Sequence, residues 1–380
     1  MRRILVILSL LLLVPVLHAQ DQGQSAPQNQ YFLQVIYHQG VHWNRTLYLQ
    51  EQMNAGFKGI EARVGIQTIG KKSWQQVNNY PRYGAGIHYA DEIRDKGDTT
   101  LGNPLSLFIF YQASWAQFGR FSLNTNVSAG LSYNPVVYHP VKNPFNDVVG
   151  SHINLFLDAN LFLGIRLGER MDMNVGYGMN HYSNGRIHMP QKGLNNWGWN
   201  AGLTWLFGGG EKPFRRSSKI VSEPPEFHPF EEIQLMASAG VTEWQLPSMP
   251  EGYHYLASSL SIDYAYQFSL RSALSLGLDV FYDGSLERSL KIDPEEVDFF
   301  QKTQLGGHLG YQFSISRLTI LFNLGTYFKQ NTYIRGFYYS RAGARYRITD
   351  HLDLHLCIKS RNGIRSDYIE WGLAYHIKTR

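Results

Sequence analysis

The 380-residue chain has one cysteine, Cys357, and charged residues make up only 17% of it. A single thiol excludes an internal disulfide, and its distance from the amino terminus leaves no lipid-modified N-terminal cysteine to expect. Beyond the first twenty residues no apolar run is long enough to cross a bilayer as a helix. The net charge is only +5, so no nucleic-acid partner is expected.

What the chain has in quantity is aromatic residues and glycine: 24 Tyr, 21 Phe, 8 Trp and 36 Gly. It opens MRRILVILSLLLLVPVLHAQ, two arginines followed by an apolar stretch from Ile4 to Leu17 and a small residue at Ala19. That is the layout of a secretory signal peptide, expected over residues 1–19. An exported chain rich in aromatics and glycine, with no membrane helix, has the profile of an outer-membrane β-barrel. A soluble secreted β protein shares part of that profile.

Alternation decides the class. In FSLNTNVSAGLSY (121–133), Phe121, Leu123, Val127, Ala129 and Leu131 stand against Ser122, Asn124, Asn126, Ser128 and Ser132. NLFLDANLFLGIRLG (154–168) repeats the pattern. LSLFIFYQASW (105–115) does so too, with Phe108 and Phe110 as exceptions on the polar face. Period-two patterning over a dozen residues suits a tilted transmembrane strand with one face in lipid and the other in a polar interior. Eight such segments are expected within 31–207 and eight more within 232–380. Short connections (QFGR, GER) alternate with longer ones, as periplasmic turns alternate with external loops; KKSWQQVNNYPR (71–82) is long where a short turn is expected. Residues 208–231, rich in Pro, Gly and charge, form a linker or periplasmic loop. The expected fold is an all-β, antiparallel transmembrane β-barrel of about 16 strands in one barrel, with two eight-stranded barrels in tandem as the alternative. A faint repeat between NGRIH…NNWGWNAGLTWLF and NGIRSDYIEWGLAYHI supports duplication.

In RMDMNVGYGMNHYSNG (170–185) parity places His181 and Ser183 with Met171, Met173, Val175 and Met179, on the lipid-facing side near the outer rim. A serine and a histidine two apart on one strand face have stems roughly 7 Å apart, close enough for a nucleophile and its base. At that depth such a pair meets an ester of a membrane lipid without the lipid leaving the bilayer; a polar interfacial cap is the alternative account of the same residues.

HYSNG, within an exported barrel, resembles the lipid A 3-O-deacylase (PagL) family and its acyloxyacyl hydrolase-like relatives. The resemblance covers roughly 31–207 and implies an eight-stranded outer-membrane barrel whose outward His and Ser hydrolyse an ester-linked acyl chain of lipid A. It implies His181 as general base, Ser183 as nucleophile and Asn184 as an oxyanion contributor. It also implies lipopolysaccharide or another outer-leaflet lipid as partner, with no cofactor and no metal. Where the family has a glutamate orienting the histidine, this chain has Asn195, on the same outward face by parity. An amide holds an imidazole through its oxygen but does not neutralise an imidazolium. Glu370 is expected inside the second half, paired with Lys359. His188 is expected to be a solvated loop histidine. In the second half Lys359 and Arg361 stand at the places of the His and Ser, so one site is expected. The rival expectation is a non-catalytic barrel, a pore or structural protein.

Overall fold

The computed structural model describes residues 29–43, 56–92, 100–190, 192–210, 213–215, 226–244, 252–289, 297–331, 336–363 and 365–378. The signal-peptide expectation for 1–19 lies outside them. Among the described residues sixteen strands are present, where the alternation places them. The first eight are β1 (Gln30–His42), β2 (Phe57–Gln67), β3 (Arg82–Asp91), β4 (Leu105–Phe118), β5 (Phe121–Tyr133), β6 (Ile153–Arg166), β7 (Met171–Ser183) and β8 (Leu194–Gly208). The second eight are β9 (Phe230–Trp244), β10 (Tyr253–Gln267), β11 (Ser272–Asp283), β12 (Thr303–Ile315), β13 (Leu318–Lys329), β14 (Tyr338–Arg347), β15 (Leu352–Arg361) and β16 (Arg365–Lys378).

These strands close twice rather than once. β8 returns to β1 from Gln30↔Gly208 to His42↔Asn196, and β16 returns to β9, giving two eight-stranded antiparallel barrels. The tandem arrangement therefore replaces the single barrel. In hydrocarbon every strand edge must find a hydrogen-bonding partner. β8 satisfies its edge against β1 of its own half, so nothing is left for β9 to extend.

Each barrel is apolar outside and polar within. Val64, Ile109, Val127 and Leu131 are exposed on the outer surface, while Gln34, Glu61, Arg63, Asn126 and Asp158 are buried in the first lumen. Outward tryptophans and phenylalanines such as Trp43, Trp115, Phe118 and Trp205 sit near the strand ends, as interfacial anchors do. The two exceptions to alternation find their reason here. Phe108 and Phe110 are buried inside the first barrel with Phe32, Phe156, Tyr182 and Leu194. Val148 and Val149 of the β5–β6 loop complete that apolar plug.

Charge networks cross both lumens. In the first, His38 Nε2 is 3.1 Å from Glu61, Glu61 pairs with Arg63, and Arg63 Nη2 reaches Asp158 at 3.4 Å. In the second, Arg341 Nε donates to Glu370 at 2.6 Å and its Nη1 to Asp279 at 3.1 Å, with His308 Nδ1 2.6 Å from Asp279. The long connection 68–81, with helix α1 (Ser73–Val77), closes the periplasmic end of the first barrel. Asn79 Nδ2 donates to the Ser114 carbonyl at 2.6 Å, and the Tyr80 ring lies 5.1 Å from Phe214 at the start of the linker. Its length is that of a plug, not of a turn. With side chains across both lumens, the purified protein in a planar bilayer is expected to show no steady single-channel conductance. Stable open channels would mean that these networks do not close the barrels.

The barrels meet at the outer rim through the β7–β8 loop. Glu243 N–H donates to the Arg186 carbonyl at 3.0 Å, Met189 N–H donates to the Glu243 carboxylate, and Arg186 Nη1 stands 3.7 Å from Asp367. Gly185 (φ +61°) lies under Ile369, where a Cβ would be 2.3 Å from Ile369 Cγ1. Ile369 points away from its own lumen, as parity requires, yet it is buried because this loop covers it.

Candidate active site

Strand pairing places the site before any side chain is considered. β7 and β8 run in register with His181 directly opposite Asn195, and Met179 opposite Trp197. On the other side of β7, Leu157 faces His181 and Leu155 faces Ser183. Asn180, Tyr182 and Asn196 turn into the lumen and are buried. The period of two then puts His181, Ser183 and Asn195 on the outward face, where all three are half-buried.

His181 and Asn195 touch: Nδ1 lies 2.6 Å from Oδ1. Because a carbonyl oxygen only accepts, the contact puts the proton on Nδ1 and leaves Nε2 with its lone pair. Ser183 ends the strand, and the backbone N–H of Gly185 is directed at its Oγ from 3.4 Å. The imidazole and the serine border one glycine. A Cβ at Gly193 (φ +67°) would stand 2.7 Å from His181 Cε1 and 3.1 Å from Ser183 Cβ. The ring edge and the serine stem thus flank the same small volume, and any side chain at 193 would fill it. Gly193 N–H is held by the Val148 carbonyl at 3.1 Å, which ties the site to the plugged barrel mouth.

Asn184 is buried behind the serine. Its Nδ2 donates to Ser151 Oγ at 3.1 Å and to the His188 carbonyl at 2.9 Å, and its Oδ1 accepts from Arg186 N–H at 3.1 Å. It is therefore the keystone of the loop following Ser183, and its amide donors are engaged there. Below Asn195 the outer surface is aromatic. Trp197 packs 5.5 Å from Trp43, and Tyr177 lies 5.1 Å from Trp199 (centroid distances). With Leu155 and Leu157 on the opposite side, the polar trio sits in an apolar surround.

Glu370 lies inside the second barrel, but its partner is Arg341 and not Lys359. In the β15–β16 register Cys357 stands opposite Glu370, and a bulge after Lys359 brings Lys359 to Asp367 at 2.6 Å. Arg361 Nη2 binds the same carboxylate at 3.0 Å. The second half thus has a lumenal ion cluster where the first has the outward trio. His188 is partly exposed, as expected of a loop residue, but it is not simply solvated, since Glu243 and His254 of the second barrel flank it. Gly193, Ser151 and Glu243 went unseen in the sequence. KGLNN carries no pattern that marks Gly193, and the other two reach the loop from distant segments.

Residues 58–204 match the family model described as lipid A 3-O-deacylase (PagL), and residues 231–379 match the C-terminal domain of acyloxyacyl hydrolase. No curated protein matches. Among solved structures, Neisserial surface protein A is similar at 11% identity, covering 47% of this chain and 97% of that one, with a TM-score of 0.35. The outer membrane enzyme PagL is similar at 18% identity, covering 46% of this chain and 98% of that one, with a TM-score of 0.28. The Pseudomonas putida toluene transporter TodX is similar at 11% identity over 92% of this chain and 88% of that one, with a TM-score of 0.19. With one family model on each barrel, the chain belongs to the lipid A 3-O-deacylase (PagL) and acyloxyacyl hydrolase-like family of outer-membrane hydrolases.

Proposed function

We propose that the first barrel hydrolyses an ester-linked acyl chain of lipid A, or of a related outer-leaflet lipid, with Ser183 as nucleophile, His181 as general base and Asn195 as the residue that orients the histidine. The observation that carries this reading is the 2.6 Å contact between His181 Nδ1 and Asn195 Oδ1. It fixes the tautomer in which Nε2 accepts a proton, on the same outward face as the serine. Ser183 Oγ attacks the ester carbonyl carbon and its proton passes to His181 Nε2. The tetrahedral intermediate collapses with cleavage of the C–O bond, and the imidazolium returns the proton to the departing sugar oxygen. Water, deprotonated by the same imidazole, then attacks the acyl-serine carbonyl; the bond to Ser183 Oγ breaks, the imidazolium returns its proton to Oγ, and the fatty acid leaves. Asn184 contributes to the oxyanion site by exchanging its Ser151 contact for the substrate oxygen. The apolar surround of Leu155, Leu157, Tyr177 and Trp197 lets the acyl chain stay at membrane depth while its ester reaches the serine. No cofactor enters these steps.

The amide at 195 sets the rate. It orients the imidazole but leaves the imidazolium uncompensated in an apolar surround, where charge is costly. Replacing the acid by its amide in a serine protease triad costs about 10⁴ in rate. Asn195→Glu is therefore expected to raise the rate constant for fatty-acid release by at least about tenfold, up to that limit. The test is mass spectrometry of lipid A incubated with the purified barrel in mixed micelles. Loss of one acyl chain with wild type, and faster loss with Asn195→Glu, supports the reading. Intact lipid A with both proteins overturns it.

A further inference from the structure

We propose that His188, Glu243 and His254 form a binding site for one divalent metal ion of the zinc class, built across the junction of the two barrels. One nitrogen of each imidazole and one carboxylate oxygen of Glu243 lie within 4.8 Å of one another. His188 Nδ1 is 3.7 Å from Glu243 Oε1, and the two imidazoles meet edge to face with centroids 5.1 Å apart. Two imidazoles and one carboxylate are a recurrent zinc ligand set, with a fourth position left for water.

The surroundings are those of a metal site rather than of a chance meeting. The second oxygen of Glu243 accepts the Met189 N–H, which orients the carboxylate. His254 Nε2 donates to the Ile187 carbonyl at 3.1 Å, and a metal on the other nitrogen leaves that bond in place. Such outer partners fix ligand orientation and tautomer. Glu243 is buried, His188 half-buried and His254 exposed, so the cluster is anchored on one side and open to the external medium on the other. Among the described residues two further clusters, His38–Glu61–His88 and His355–Cys357–Glu370, are buried inside the lumens. There Arg63 and Arg341 already neutralise the carboxylates, so neither attracts a second cation.

The location gives the metal its consequence. His188 belongs to the loop that follows Ser183, while Glu243 and His254 belong to β9 and β10. The His188 carbonyl also receives the Asn184 amide. A bound ion thus staples the loop to the second barrel and holds the residue beneath Asn184. This inference stands independently of whether Ser183 is a nucleophile.

The test uses full-length protein in detergent micelles, stripped with a chelator and titrated with Zn²⁺ by calorimetry and with Co²⁺ by visible absorption. Saturable uptake of one ion per chain is expected, with an intense Co²⁺ d–d spectrum. His254→Ala and His188→Gln should each weaken binding by at least about tenfold. Both positions reach solvent, so heat-modifiable migration on gels should report folded barrels in both variants. Zn²⁺ should raise the thermal unfolding midpoint of the wild type and leave that of the variants unmoved. Absence of saturable uptake by the wild type, or uptake unchanged in the His188→Gln/His254→Ala double variant, overturns the proposal.

Discussion

Ser183→Ala is expected to reduce fatty-acid release from lipid A by about 10³-fold or more while leaving the barrel folded. In a triad the nucleophile and base act as one unit, so losing either removes nearly all of what the unit supplies; in another serine hydrolase that is on the order of 10⁶. The expectation here is smaller because Asn195 gives a lower starting rate. The fold should be indifferent to the change. Ser183 is the last residue of β7, and among the described residues the Gly185 N–H at 3.4 Å is the one hydrogen bond to its hydroxyl. The neighbouring loop is held by Asn184, Arg186 and Glu243, none of which is altered. Heat-modifiable gel migration should match the wild type, and quantitative release of fatty acid from purified lipopolysaccharide reads the loss. His181→Gln should behave alike. Undiminished release by Ser183→Ala would remove the serine from the mechanism.

Arg341→Ala is expected to destabilise the second barrel by roughly 3–5 kcal/mol, the cost of stripping one partner from a buried ion pair. Arg341 is fully buried and bridges two carboxylates, Glu370 and Asp279. Ser259 and Tyr339 bond the same acids, but hydroxyls carry no compensating charge. Without the guanidinium, two carboxylates are left in the lumen with His308 and His355 as their ion-pairing partners among the described residues. Urea unfolding in micelles, followed by tryptophan fluorescence with heat-modifiable migration, measures the change. A second variant separates charge from packing: Glu370→Gln added to Arg341→Met removes one charge of each sign and should recover part of the loss. If Arg341→Ala unfolds at the wild-type urea concentration, the lumenal network is not what holds this barrel together.

Much of this architecture was legible in the sequence because a membrane strand has a simple code. Lipid on one face and packed polar groups on the other force a period of two, and the bilayer fixes the segment length. That is why β5 and β6 could be placed to within a residue or so, and why parity alone put His181, Ser183 and Asn195 on one outward face. The contact of His181 with Asn195 follows from the same parity and from the hairpin between β7 and β8. Phe108 and Phe110 were readable as exceptions but not as a plug, because a period does not say which lumenal positions are dry.

Tertiary structure alone decided how the strands close, who pairs with whom inside, and what stands around the loop. Alternation is identical for one large barrel and two small ones; only the pairing of β8 with β1 distinguishes them. Within a lumen, side chains from opposite walls meet irrespective of sequence distance, so the preference of Glu370 for Arg341 over Lys359 depends on barrel radius and on a bulge that no local pattern announces. The β7–β8 loop depends on both barrels at once: Ile369 covers Gly185, and Glu243 and His254 flank His188. Local sequence sets which face of a strand a residue occupies, since that is a property of the backbone. Which residues meet across space is set by closure and docking, where the whole chain chooses the partners.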